Sequence, residues 1–308
     1  MRFDRIPHAR LMIGAAAAVL MLLPVAATTL NKHSAQPVQL ARADAASSPI
    51  SLRTAPGNPQ LAVASRQPGS SSARSVALVI GNAGYREENA PPLRQAAEDA
   101  RAMAAELRGR GFDVTLAENL TKQGMFDAFS SFAAKIEPGA TALVFFSGYG
   151  IQSGRQTYLI PVSADIWRED DVRRDGLALD PLLADLDAHG AAAKLIVIDA
   201  ARRNPFEPRF RAASIGLAPI GAPKGTLMIY SVAPGEVVHH NDGGLFVGEL
   251  IAQLRREGIS LEEAFNRTRI TVASASRDEQ VPGVFSSLTG DLALPPAATA
   301  AAGETAPH

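Results

Sequence analysis

Lys194-Leu-Ile-Val-Ile-Asp199 is a short, almost unbroken apolar run that ends on a carboxylate, with Ala-Ala-Arg-Arg-Asn-Pro-Phe206 directly behind it. Apolar residues on consecutive rather than alternate positions predict a strand buried on both faces, as in the centre of a parallel sheet. Ser75-Val-Ala-Leu-Val-Ile-Gly81 and Thr141-Ala-Leu-Val-Phe-Phe-Ser147 have the same character. Phe112–Ala117 and Gly225–Val232 supply further strands, and Leu288–Leu294 is expected as a last edge strand. Between the strands the period changes. Leu93–Arg110 carries apolar residues at 93, 96, 97, 100, 103, 104 and 107, and Thr121–Ile136 places Met125, Phe129, Phe132, Ala133 and Ile136 on one face. Pro181–His189, Phe246–Arg256 and a segment opened by the capping box Ser260-Leu-Glu-Glu263 complete the helices. Strands alternating with helices predict an α/β fold, a mostly parallel sheet with right-handed crossovers and helices on both faces. In such sheets chemistry gathers at the carboxyl ends of the strands.

The chain has 308 residues with 30 Lys or Arg, 31 Asp or Glu, and no Cys. Without cysteine there is no disulfide, thiolate metal site or thiol nucleophile. A net charge of −1 offers no basic face for nucleic acid. The charge is unevenly divided, with residues 1–74 at +6 and the remainder at −7. Arg2, Arg5 and Arg10 precede the apolar run Leu11–Ala27, which reads as a signal peptide or an uncleaved membrane anchor over residues 1–27. Either reading exports the rest of the chain, to the periplasm or beyond the cell, free if the segment is cleaved and membrane-anchored if it is kept. Residues 28–74, rich in Ala, Ser, Pro and Gln, read as a flexible linker, and residues 295–308 as a disordered Ala-rich tail. The foldable unit is residues 75–294, and contact with a membrane is expected only through the N-terminal segment.

Several strand-end motifs are distinctive together. Val79-Ile-Gly-Asn82 with Tyr85, Leu93 and Asp99-Ala100 opens the unit. Phe145-Phe-Ser-Gly-Tyr-Gly-Ile-Gln152 ends one strand, and Leu195–Phe206 ends another. Tyr158–Asp165 lies between these two, and Gly225–Gly235, Gly244-Leu-Phe246 and Gln280-Val-Pro282 follow them. This set resembles the caspase-like peptidases of bacteria, within the metacaspase and caspase clan, over roughly residues 75–294. The resemblance implies a caspase-type sandwich built on a six-stranded, mostly parallel sheet.

It also implies a cysteine-type endopeptidase site, and here two positions depart from the family. Tyr149 stands where the family places its catalytic histidine, and Ala201 where it places its cysteine. Alanine offers no nucleophile, and a phenol with a pKa of ~10 is a poor base at neutral pH. No catalytic residue is therefore assigned. The resemblance implies that Asp99 and Asp199 line a pocket for an Arg or Lys side chain, with Ser231 beside them. The plainer alternatives are a strand-end aspartate capping backbone amides and an aspartate on a solvated helix face. Gly148 and Gly150 are expected to offer oxyanion-type amides.

Other clusters carry less. Ser147 lacks a Gly-x-Ser-x-Gly elbow, and His189, His239 and His240 are the histidines that could serve it. The adjacent pair His239-His240 lacks a spaced third zinc ligand. Gly81-Asn-Ala-Gly84 lacks the further glycine and Lys-Ser/Thr of a phosphate loop, and a permissive turn explains it better. Arg202, Arg203, Arg209 and Arg211 read as a solvated loop. No cofactor or metal is expected. Three functions remain open: a pseudopeptidase that binds a peptide or protein, for instance one presenting Arg or Lys; an interaction scaffold with an idle cleft; and a hydrolase with relocated Ser and His.

Overall fold

Seven residues from Ser75 to Gly81 form the first strand, β1, and every position after the first is buried. The computed structural model describes residues 74–86, 88, 90–200, 204–206, 208–209, 216–237 and 244–295. The expected signal or anchor segment, Ala201, His239 and His240 lie outside the described residues, as do the linker except Arg74 and the tail except Pro295.

The remaining elements are, in chain order, α1 (Arg94–Gly109), β2 (Asp113–Glu118), α2 (Lys122–Ala133), β3 (Thr141–Ser147), β4 (Gly150–Ser153), β5 (Gln156–Leu159), α3 (Glu169–Asp175), β6 (Leu177–Ala178), α4 (Leu179–Ala188), β7 (Ala193–Asp199), β8 (Thr226–Tyr230), α5 (Leu245–Leu254), α6 (Leu261–Ala275) and β9 (Gly283–Ser286). Six strands make one sheet in the order β2-β1-β3-β7-β8-β9. All neighbours are parallel except β9, which runs antiparallel to β8. This is the α/β caspase-type sandwich expected from the sequence.

Alternation along the strands builds two cores. Val76, Leu78, Ile80, Val144, Phe146, Ile196 and Ile198 pack with Met125, Phe129 and Phe132 of α2 and Leu183 and Leu186 of α4. Their odd-numbered neighbours Val79, Phe145, Leu195 and Val197 pack with α1, α5 and α6. Each central strand thus removes apolar surface from water on both faces, at about 25 cal/mol per Å² buried. The approach of α1 is close enough to require a glycine: a Cβ on Gly81 would lie 2.6 Å from the Ala96 carbonyl oxygen and 2.7 Å from the Ala100 Cβ.

Two differences from the sequence reading stand out. The edge strand is β9, not Leu288–Leu294, whose leucines 288, 292 and 294 instead pack against the α1/α5/α6 core. Gly283-Val-Phe-Ser286 is too short to show a period, while Gly290 interrupts the longer stretch. The second is a three-stranded antiparallel sheet, β4-β5-β6, that comes after β3 and carries α3 between its last two strands. The other edge of the main sheet, β2, is half-buried throughout. Arg74 pairs with its Asp113 at 2.8 Å, Lys135 with Asp113 at 3.7 Å, and Arg101 with its Glu118 at 2.6 Å.

Candidate functional site

The chain passes from β1 to β2 on one side and to β3 on the other, so the strand order reverses between β1 and β3. The crevice at the carboxyl ends of these two strands is where an open α/β sheet places its ligand. Here it receives the turns Gly81–Tyr85 and Ser147–Gly150.

The first turn is tied down by asparagines. The buried Asn82 accepts from the Leu120 amide at 3.0 Å and donates to the Ile160 carbonyl at 3.1 Å. Asn119 accepts from the amides of Ala83 and Gly84 at 2.9 and 2.7 Å. The backbone donors that would cradle a phosphate are therefore already engaged, in keeping with a turn.

The second turn carries Tyr149, which is only 5% exposed. Its phenol donates to the Pro91 carbonyl at 3.1 Å. Its amide donates to the Tyr85 hydroxyl at 3.0 Å, and that hydroxyl donates to the Ile160 carbonyl at 2.8 Å. The two rings meet edge-on with centroids 4.8 Å apart, a favoured aromatic geometry. Both belong to a third apolar cluster with Leu93, Ile151, Tyr158, Ile166 and Phe206. Gly148 must lack a side chain, because a Cβ there would lie 2.8 Å from both the Tyr85 hydroxyl and the Phe146 ring.

The expected oxyanion donors are not available in this arrangement. The Gly148 amide donates to the Asp199 carbonyl at 3.2 Å and the Gly150 amide to the Ala200 carbonyl at 3.1 Å. The two strand ends are stitched to each other, which directs both N–H groups into the backbone.

Ser147 and Asp199 are register partners on adjacent parallel strands, and the Ser147 hydroxyl donates to the Asp199 carboxylate at 3.0 Å. Alternation puts both on the α1/α5 face, and the same period puts Ser231, just past β8, on that face. Ser231 is fully buried; its amide donates to the Ile198 carbonyl at 2.9 Å, and its carbonyl accepts from the Gln280 side chain at 3.0 Å. Its hydroxyl has no hydrogen-bond partner among the described residues.

Asp99 lies on α1 between Ala96 and Ala100, the residues that meet the end of β1. It is 5% exposed, so it is no solvated helix residue. Gln95, one turn earlier, donates to it at 2.9 Å, and Gly244 at the start of α5 faces both side chains. Asp99, Ser147, Asp199 and Ser231 thus share one sheet face and one end of the strands.

His189 lies at the opposite, amino-terminal end of the strands, just before β7 begins and about 20 Å from their carboxyl ends by strand rise. It is therefore no partner for Ser147. Among the described residues no group of three His, Asp or Glu side chains could hold a metal ion. A cavity of about 750 Å³, lined in part by Arg110, Leu254, Arg256, Ile259 and Leu292, lies at the α5–α6 connection, away from the strand ends.

The sequence reading missed one feature. Arg209 is not simply solvated: its guanidinium lies 4.1 Å from the Trp167 ring centroid and donates to the Ile166 carbonyl at 2.9 Å and to the Glu88 carbonyl. The available signals, a single tryptophan and a basic stretch, lie 42 positions apart at Trp167 and Arg209, and no local spacing links them.

The caspase-domain sequence pattern matches residues 74–293, well over half of the chain, and the chain belongs to the caspase-domain family. It is 32% identical over 89 residues to the human mucosa-associated lymphoid tissue lymphoma translocation protein 1, a match covering 29% of this chain and 11% of that protein. The mouse homologue is 30% identical over 89 residues, covering 29% and 10%. The chain thus matches only about a tenth of the length of these curated relatives.

Proposed function

We propose that this caspase-domain protein is a pseudopeptidase: it binds a peptide or protein partner at the carboxyl ends of its strands and does not hydrolyse it. The observation that carries this reading is Tyr149, whose phenol is buried and committed to the Pro91 carbonyl. A group so placed neither accepts a proton at neutral pH nor activates a nucleophile. The sequence has alanine at position 201 and no cysteine anywhere. A relocated serine mechanism is disfavoured because the Ser147 hydroxyl donates to the Asp199 carboxylate.

The recognition element is the face holding Asp99, Asp199 and Ser231. Two buried carboxylates there favour an Arg or Lys side chain through charge-assisted hydrogen bonds. Arg2, Arg5 and Arg10 before Leu11–Ala27 direct the domain out of the cytoplasm. Among the described residues no helix is long and apolar enough to cross a membrane.

The test uses the purified protein and a blocked peptide containing one Arg. Calorimetry is expected to show binding that weakens at least tenfold on Asp199→Asn and on Asp99→Asn, with no cleavage product. Cleavage above buffer that disappears on Ser147→Ala would overturn the pseudopeptidase reading. Undetectable binding of Arg and Lys peptides would replace the peptide cleft with a scaffold surface.

A further inference from the structure

Phe206 lies seven residues beyond the end of β7 and is 1% exposed, seated in the cluster that holds Tyr85 and Tyr149. Three positions on, Arg209 spans to two other parts of the chain. It stacks on Trp167 and donates to Ile166, both between β5 and α3, and it donates to Glu88 between β1 and α1. It also lies 5.8 Å from the Phe206 ring centroid. Trp167 is a fixed platform for the stack. Its indole N–H donates to Asp165 at 2.8 Å, and its amide donates to Asp171 at 3.0 Å. Yet the indole is 57% exposed, so the clamp is reachable from solvent while the residue it secures is not.

A buried aromatic held by a surface clamp is the construction of a latch. We infer that Arg209 is a positioning residue that keeps Phe206 seated in the cluster that holds Tyr149, and that the Arg209–Trp167 stack must open before a partner can reach that cluster. The physical basis is the planar guanidinium, which stacks on an indole while its fork donates to carbonyls in the ring plane. Lysine reproduces the charge but not that geometry. When a protein binds only from an open state, its apparent affinity falls by the fraction of molecules that are open. A latch of this kind therefore sets the affinity of the cleft without contacting the ligand. The regulatory half of this inference rests on the proposed peptide cleft; the latch itself does not.

Chymotrypsin cleavage after Phe206 in the full chain reads the latch directly, because the protease must take up the Phe206 ring, which is 1% exposed in its seat. Arg209→Ala is expected to raise the cleavage rate on the order of tenfold or more, and Arg209→Lys to recover only part of the protection. Trp167→Ala, which removes an exposed side chain and leaves the carbonyl contacts of Arg209, is expected to raise it less; this variant serves should Arg209→Ala lower the unfolding midpoint. Full protection restored by lysine, or rates unchanged in the alanine variants, would overturn the latch. Trp167 is the only tryptophan in the chain, so its emission tracks the same opening. With the blocked Arg peptide, Arg209→Ala is expected to tighten binding several-fold, and unchanged affinity would overturn the regulatory role. Absence of peptide binding in every variant would sink the cleft reading and leave the cleavage result to decide the latch.

Discussion

The Tyr85 hydroxyl sits between the amide of Tyr149 and the carbonyl of Ile160, accepting from one at 3.0 Å and donating to the other at 2.8 Å. One oxygen thereby joins the ends of β1, β3 and β5. Removing it strands a buried amide, so Tyr85→Phe is expected to cost about 2–3 kcal/mol. Tyr149→Phe leaves the Pro91 carbonyl without its donor and is expected to cost only about 1 kcal/mol. Urea denaturation of the two variants checks the order.

Ser147→Ala removes the hydroxyl that Asp199 accepts from. Hydrogen bonds to charged groups contribute about 1.5–3 kcal/mol, and a loss of that size is expected. Peptide turnover should be undetectable in both the parent and the variant. A hydrolysis rate that falls in step with Ser147→Ala would instead make the serine a nucleophile.

Introducing by Tyr149→His with Ala201→Cys the pair that the resemblance implies is expected not to produce hydrolysis. A tetrahedral intermediate needs donors aimed at its oxyanion, and the Gly150 amide is spent on the Ala200 carbonyl. Turnover of an Arg reporter peptide by the double variant, above either single one, would show that this turn rearranges.

Glu106 is buried between Arg110, at 2.7 Å, and Arg255, at 2.7 Å. Burial pushes its carboxyl up, but the hydrogen bonds from Arg255 and Arg110 outweigh it and hold the group below its ordinary range. A lowered folded-state pKa adds stability that is complete above the unfolded value of about 4.3 and is lost as pH falls through the folded value. Glu106→Gln leaves the buried Arg110 without a counter-charge and should cost about 3–5 kcal/mol at pH 7. The difference from the parent should persist from pH 8 to pH 6 and shrink as pH falls below the unfolded value of about 4.3 and through the lowered folded one, as read by urea midpoints.

Tyr230 presents the reverse case. Its hydroxyl is buried without a hydrogen-bond partner among the described residues, and burial together with the nearby Asp180 raises its pKa. Burying an unsatisfied hydroxyl is unfavourable, so Tyr230→Phe is expected to leave stability unchanged or raise it by about 1 kcal/mol. A clear loss on urea denaturation would reveal a partner for the hydroxyl.

The central strands were legible because burial on both faces leaves no polar position to break the apolar run, as in Leu195–Ile198. Asp99 was legible as a residue of interest only through resemblance, since helical spacing alone left its side chain near the solvent face. β4, β5 and β6 were not legible: strands of four, four and two residues are too short to establish a period. Nor could spacing show that Tyr85 and Tyr149, 64 positions apart, share a hydrogen bond. The fate of the Gly150 amide depends on how two strand ends abut, which no local pattern encodes.

The ion pairs along β2 bear on crowding. An exposed strand edge is a template on which another chain can grow a sheet, and inward-leaning charges are a common safeguard. Arg74, Lys135 and Arg101 meet the two acidic ends of this strand, so a neighbouring polypeptide would have to strip those pairs before laying down a new rung. Lateral polymerisation through this side is thereby discouraged.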